Sequence, residues 1–287
     1  MTRVIELLGD SYTFINGERT LPSEPQKAEF IPFDITDREH VTDVLKKRQP
    51  DVIMHAAAMT NLELCETEKD KAHLINVTGT ETIAAAATEI GAYLIYISTD
   101  FVFKGDRGNY IEADIPDPVN YYGQTKYEGE LAVQKLTENA CIARITFPYR
   151  ARFPQKMDCI RWMWEKMGRG DSITAVTDQK ATPTFIDDIA HALDFIIRKQ
   201  PKGIYHVAGR SRHSWFEIAQ TVAKVFEYDP QLVSPITYEQ FTAGKVRAPR
   251  PTDSSLNIDK IKRELGIEMS DIRTGLLAIK EQLKESI

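Results

Sequence analysis

Short hydrophobic runs alternate with amphipathic stretches through the first half of the chain, the order that builds a parallel sheet with helices on both faces. Ala28-Glu29-Phe30-Ile31-Pro32-Phe33-Asp34-Ile35 reads as a strand, and Thr36-Asp37-Arg38-Glu39 as a capping box with Thr36 at the N-cap, opening a helix through about Lys47. Asp51 to His55 is the next strand. The small-residue loop Ala56-Ala57-Ala58-Met59-Thr60 follows, then a long helical stretch ending near Gly91 and the strand Tyr93-Leu94-Ile95-Tyr96-Ile97-Ser98. This is a βαβ unit. A loop carrying Gly105, Gly108, Pro116 and Pro118 leads to a helix beginning near Tyr121, and Cys141 to Thr146 closes as another strand.

After Pro148 the pattern predicts a helix over about 155–167, a short strand near Ile173, a helix over about 187–199, the strand Gly203–Val207, and a helix opened by the capping box Ser214-Trp215-Phe216-Glu217. A terminal helix from about Ser270 to Glu285 carries Ile272, Leu276, Ile279 and Leu283 at helical spacing. The fold class is therefore α/β, a doubly wound parallel sheet with a smaller C-terminal α/β part. With no linker or low-complexity tract between them, that part is interleaved with the first.

Composition narrows the function. The 287 residues are enough for a core without disulfides, and the net charge of −6 is spread along the chain, so no basic footprint for nucleic acid or an anionic membrane is present. No apolar run approaches the roughly 18–20 residues of a membrane span, and the N-terminus lacks the pattern of a secretory signal. Cys65, Cys141 and Cys159 are scattered, without CxxC spacing, which points to a reducing cytoplasm.

Tyr122-Gly123-Gln124-Thr125-Lys126 places a phenol and an ammonium four residues apart, on one helix face. A free tyrosine has a pKa of about 10; a nearby lysine favours the phenolate and makes the pair useful for proton transfer at a carbonyl. Taken alone, this spacing is a weak signal. It gains weight from Ser98-Thr99-Asp100 at the carboxyl end of a buried strand, the edge where parallel sheets bind ligands. The bland alternative is that Ser98 and Thr99 end the strand and Asp100 starts a turn.

Taken in order, Asp34-Ile35, Pro50-Asp51-Val52-Ile53-Met54-His55-Ala56-Ala57-Ala58, Asn76, Ser98-Thr99-Asp100-Phe101-Val102-Phe103-Lys104-Gly105, Tyr122-Gly123-Gln124-Thr125-Lys126 and Gly129-Glu130 resemble the extended short-chain dehydrogenase/reductase superfamily, and within it the dTDP-4-dehydrorhamnose reductases. In the second half, Asp178-Gln179, Thr182-Pro183-Thr184, Gly203-Ile204-Tyr205-His206-Val207-Ala208-Gly209, Ser214-Trp215, Arg247-Ala248-Pro249-Arg250-Pro251 and Ser255-Leu256 are similar to that family's substrate-side segments.

The resemblance implies a Rossmann-like NAD(P)-binding domain over 1–147, a mainly substrate-binding part over 148–287, and hydride transfer from NADPH or NADH to the C4 keto carbon of a nucleotide-diphosphate deoxysugar. In that reading Tyr122 gives the proton, Lys126 holds the nicotinamide ribose and lowers the tyrosine pKa, and Thr99 polarises the carbonyl. Asp34 and Ile35 lie beside the adenine; Ala56, Ala57, Ala58 and Thr60 pass backbone along the cofactor; Ser98 also touches it, and Asn76 steadies the site. Asp100, Phe101, Phe147, Arg247 and Arg250 face the substrate. Two alternatives belong to other classes or substrates: a non-catalytic subunit resembling the regulatory β subunit of methionine adenosyltransferase, or another nucleotide-sugar reductase or epimerase. A homodimer or a complex with a partner enzyme is compatible with each.

The chain departs from the family pattern in places. Dehydratases carry Glu where Phe101 stands, which argues against elimination; the reductases usually carry Tyr there. A family Trp is Phe147 and a family Gly is Arg150. At the front, no glycine-rich turn is present to cradle a pyrophosphate; the early glycines are Gly9 and Gly17. Arg3 to Leu8 could be read as the first strand, but Tyr12 to Gly17 reads as strand plus turn. The register favours Thr2 to Leu8 as the back half of a first helix, with the first strand and its turn missing from this sequence.

Other residues carry paired readings. His206 on an apolar strand fits a packed, backbone-bonded histidine better than a metal ligand, and His206 and His213 lack companions at zinc spacing. Trp162, Met163, Trp164 and Met167 suit a core helix better than a sugar-stacking surface. Arg247 and Arg250 fit a diphosphate clamp or a solvated pair equally.

Overall fold

The computed structural model describes residues 2–22 and 25–284 and divides into two units. The first takes the chain through Val102, Pro116–Arg144 and Ala190–Tyr205; the second takes Phe103–Ile115, Ile145–Ile189 and the chain from His206 on.

The first unit opens with helix α1 (Thr2–Leu8), which buries Val4, Ile5 and Leu8. The segment is thus helical, as the register favours, and not a strand. Strand β1 (Phe14–Glu18) pairs in parallel with β2 (Ala28–Pro32), Phe14 opposite Ala28. Helix α2 (Arg38–Arg48) is capped by Asp37, whose side chain accepts from the His40 amide at 3.0 Å. The expected cap at Thr36 is therefore one residue early: Thr36 instead gives its amide and hydroxyl to Asp34, at 2.9 and 2.8 Å.

Strand β3 (Val52–His55) lies parallel to β4 (Tyr93–Thr99), with His55 opposite Tyr96. Between them run α3 (Leu62–Thr67), α4 (Lys69–His73), a π turn over Leu74–Thr78 and α5 (Gly79–Ile90). Gly91, at φ 74°, ends α5 in the left-handed region that glycine takes without a Cβ penalty. The small face of α5 (Ala84, Ala86 and Ala87) lets it pack closely against Val41 and Leu45 of α2, and Leu94, Tyr96 and Ile142 complete this core. Helix α6 (Tyr121–Leu136) follows, capped by Asn120, and β5 (Ala140–Ile145) pairs beside β4.

In the second unit β6 (Pro148–Tyr149), α7 (Cys159–Gly168), β7 (Ile173–Val176), β8 (Lys180–Ala181) and β9 (Thr184–Phe185) lead to α8 (Ile186–Lys199), whose later residues and the start of β10 (Gly203–Val207) belong to the first unit. β10 completes the sheet of order β10-β5-β4-β3. β11 (His213–Ser214) carries the Ser214–Glu217 capping box into α9 (Trp215–Phe226) as the sequence predicts. β12 (Val233–Ile236) pairs in parallel with β7, and α10 (Tyr238–Thr242), α11 (Asp259–Leu265) and α12 (Ile272–Lys284) complete the fold. The short strands and α10 and α11 carry too few residues for a periodic signal. The expected helix over 155–167 starts only at Cys159, where Asp158 caps it. Glu285, the expected end of the last helix, lies outside the described residues.

Candidate active site

The carboxyl end of β4 delivers Thr99 to the edge of the sheet, and a 3-10 turn over Asp100–Val102 follows at once. Thr99, Asp100 and Phe101 are buried. The Thr99 hydroxyl donates to Asp100 Oδ1 at 3.1 Å and accepts from the Phe101 amide at 3.2 Å, so the turn is tied to the last residue of the strand.

Helix α6 brings the phenol to this edge. Its start is fixed twice: Asn120 accepts from the Gly123 amide at 2.8 Å and Glu66 from the Tyr121 amide at 2.7 Å. Gly123 sits against the turn, where a Cβ would overlap the Phe101 carbonyl oxygen. This contact sets Phe101 and Tyr122 edge-to-face, with ring centroids 6.1 Å apart. Tyr122 remains partly exposed on this wall. Burial pushes its phenol well above the ordinary tyrosine value, while the Thr99 hydroxyl beside it pulls the other way.

Lys126 is buried, and its Nζ donates to the Ile97 carbonyl at 2.8 Å, above the Tyr96 ring. Burial lowers its pKa to about 7, against the pull of Glu130. The expected lowering of the Tyr122 pKa by Lys126 is thus not the arrangement seen: the ammonium is engaged by β4, and the phenol is held up, in its protonated form.

Asn76, on the π turn, closes the floor. Its Oδ1 accepts from Met59 N at 2.7 Å, and its Nδ2 donates to Met59 O at 3.0 Å and to Thr125 Oγ1 at 2.9 Å. The extra residue of a π turn re-aims one side chain out of helical register, a device common at functional sites. The clip fixes the loop through Ala56, Ala57, Ala58 and Thr60, of which Ala57 and Thr60 are exposed. Cys65, buried in α3, donates to Met59 O, and burial pushes its thiol up to about 11.

Thr99, Asp100, Phe101, Tyr122, Lys126 and Asn76 are therefore gathered in the first unit. Ser98 is near them, and its hydroxyl donates to Glu130 Oε1. Asp34 holds Thr36, and those hydrogen bonds keep its carboxyl below the usual range; Ile35 is buried in the core. Phe147, Arg247 and Arg250 lie in the second unit. Phe147 adopts φ 37°, a strained value for a residue with a Cβ, and its ring meets Trp215 edge-on at 4.8 Å. Arg247 is exposed beside Phe241, and Arg250 donates to the Ala248 carbonyl. His206 is buried with Nδ1 at 3.0 Å from the Asn257 carbonyl, a packed histidine. Met163, Trp164 and Met167 are core, Trp164 stacked on Phe226; Trp162 alone of the four is exposed.

Sequence reasoning misses the polar layer beneath Lys126. Arg144 and Glu130, each about 1% exposed, form a two-point pair with Nε–Oε1 at 2.8 Å and Nη2–Oε2 at 2.6 Å. His55 meets Thr80 Oγ1 at 2.9 Å. The available signal was the set of polar residues inside otherwise apolar strands: His55, Tyr96 and Arg144.

The donors present fit the nicotinamide-ribose end of a dinucleotide: a buried ammonium, a protonated phenol, and a loop whose small side chains leave its backbone open. Among the described residues no strand–glycine turn–helix offers amides to the pyrophosphate.

A buried parallel sheet whose edge carries threonine beside a helix-borne tyrosine and lysine defines an α/β protein of the short-chain dehydrogenase/reductase class. The model of the family described as RmlD substrate binding domain matches residues 15–285, and the chain belongs to that family. It is 32% identical over 266 residues to a dTDP-4-dehydrorhamnose reductase of Escherichia coli, covering 88% of this chain and 85% of the relative. It is 31% identical over 264 residues to methionine adenosyltransferase 2 subunit beta of Mus musculus, covering 90% and 77%. A crystal structure of dTDP-4-dehydrorhamnose reductase from Bacillus anthracis in complex with NADP superposes with a TM-score of 0.81 at 31% identity, covering 89% of this chain and 91% of that one.

Proposed function

We infer that the chain is an NAD(P)H-dependent reductase of the C4 keto group of a nucleotide-diphosphate deoxysugar, with dTDP-4-dehydrorhamnose as substrate and dTDP-L-rhamnose as product. The observation that carries the mechanism is the Tyr122 phenol set beside the Thr99 hydroxyl at the carboxyl edge of β4. Reduction of a ketone needs an acid for the developing alkoxide, and a phenol whose proton is held by burial is in the required form across neutral pH. Thr99 adds a second donor toward the same oxygen. Lys126 binds the ribose hydroxyls and, when so engaged, brings its positive charge to the phenol as the proton leaves. The cofactor supplies the hydride. Phe101 offers no carboxylate for elimination, which supports reduction over dehydration.

The division of labour is part of the same proposal: cofactor contacts from Asp34, Ile35, the 56–60 loop, Asn76, Tyr122 and Lys126, and sugar contacts from Asp100, Phe101, Phe147, Arg247 and Arg250. A guanidinium pair matches diphosphate oxygens in a fork, and the overall charge of −6 leaves the attraction to such local donors. A cytoplasmic location fits the free cysteines and the lack, among the described residues, of a helix long and apolar enough to cross a membrane. For a homodimer or a partner-enzyme complex the support is that the first unit exposes Leu64, Leu74 and Leu131.

A second reading, a regulatory subunit, is favoured by the likeness to the methionine adenosyltransferase subunit and by the lack of a glycine turn among the described residues. Fluorescence titration with NADPH and NADH separates the two. Saturable binding below millimolar concentration supports the reductase; no binding there refutes it for this chain.

A further inference from the structure

The ammonium of Lys126 lies 4.0 Å from the centroid of the Tyr96 ring. That ring is fixed on each side. Its hydroxyl end occupies space that exists because residue 129 is glycine, where a Cβ would overlap the Tyr96 oxygen. The His55 ring lies at 5.5 Å, tilted by 36°. Thr80 Oγ1 gives its one proton to the Asn76 carbonyl at 2.7 Å, so His55 Nε2, 2.9 Å away, carries a proton and donates it to Thr80. The Tyr96 hydroxyl is 3.4 Å from the Lys126 carbonyl. Every member of this set is buried.

We propose that Tyr96 is a positioning residue for Lys126: its ring face is the seat of the ammonium, held by His55, Thr80 and the gap at Gly129, and it sustains the positive charge the proton transfer uses. The catalytic part rests on the reductase reading; the seat itself does not. An ammonium cut off from water keeps its charge only through what surrounds it, and a ring quadrupole beneath it is worth most where water is absent. The groups facing Lys126 are few. Glu130 lies one turn on along α6, neutralised in part by Arg144 from β5 and bonded by Ser98; His55 from β3 is neutral; Tyr96 from β4 is the ring itself; the Ile97 carbonyl takes one N–H. Asp100 and Cys65 face Tyr122. Removing the ring face leaves the Ile97 hydrogen bond and the Glu130–Arg144 pair in place, and Tyr96→Phe separates the face from the Tyr96 hydroxyl's bond to the Lys126 carbonyl.

The test is a pH titration of the whole chain labelled with 13C at lysine Cε and read by NMR, with Lys126 assigned by its absence in Lys126→Met. Wild type titrates near 7 at Lys126. Tyr96→Phe keeps the ring and leaves that midpoint in place, whereas Tyr96→Leu lowers it by about one pH unit. Should Tyr96→Leu not fold, phenylalanines of increasing ring fluorination at position 96 keep the shape and weaken the face; the midpoint then falls stepwise. An unmoved midpoint in Tyr96→Leu, a flat fluorination series, or a fall in Tyr96→Phe as large as in Tyr96→Leu overturns the seat. In turnover the alkaline limb of kcat/KM moves down with the Lys126 midpoint while KM for the sugar nucleotide holds. A limb that stays put while Lys126 moves overturns the catalytic role, and a wild type without turnover refutes the reductase reading while the NMR result stands.

Discussion

Asn76 holds Met59 at two points, accepting from its amide at 2.7 Å and donating to its carbonyl at 3.0 Å. One side chain thereby replaces the strand partner that the loop after β3 lacks. Asn76→Ala leaves the part-buried Met59 amide without its partner and its carbonyl with only the weak Cys65 thiol donor, and an unpaired buried polar group costs about 1–3 kcal/mol. We expect a loss of about 1–3 kcal/mol in urea unfolding, with cofactor affinity weakened as the 56–60 loop loosens.

Removal of the Tyr122 hydroxyl isolates the proton donor. Tyr122→Phe keeps the edge-to-face contact with Phe101 and should lower kcat by about 10²–10⁴-fold. Cofactor Kd, measured by fluorescence titration, should stay within about twofold. Equal turnover in the variant would exclude Tyr122 as the acid.

The Arg144–Glu130 pair is buried with hydrogen bonds on both sides, so removing one partner strands a charge. Arg144→Met should destabilise the chain by about 3–5 kcal/mol, and the double variant with Glu130→Leu should recover a large part of that. A double-mutant cycle in denaturant measures both, and additive losses would contradict the pairing.

Burial, with Lys126's charge second, holds the His55 pKa at about 3, below the ordinary value of 6.5. The unfolded chain therefore takes up a proton below pH 6.5 that the folded chain refuses until about 3. Stability from this group is present above 6.5 and is lost as pH falls through that window, by roughly 5 kcal/mol at the bottom. His55→Gln keeps an N–H donor for Thr80 and should flatten this slope in thermal melts between pH 6.5 and 4. An unchanged slope would show that the acid sensitivity resides elsewhere.

The parallel order, the βαβ unit and the Ser214 cap were legible because strands and helices of ordinary length carry a periodic signal. Thr99, Tyr122 and Asn76 were legible as motif residues, and the structure gathers them at one sheet edge. Less was legible where neighbours in space decide. Asp37 outcompetes Thr36 as the cap because Thr36 bonds to Asp34. Ser98 turns to Glu130, and Lys126 to the Ile97 carbonyl and the Tyr96 ring, because burial makes each take the partner at hand. Spacing places Lys126 on the same helix face as Tyr122, yet it does not show that β4 claims the ammonium.

Turnover decides whether the chain reduces the C4 keto group. Purified chain mixed with dTDP-4-dehydrorhamnose and NADPH or NADH should oxidise the nicotinamide in step with formation of dTDP-L-rhamnose, and Tyr122→Phe should not. No oxidation by the wild type at saturating cofactor and sugar would refute the reductase, and equal oxidation by the variant would exclude Tyr122 as its acid.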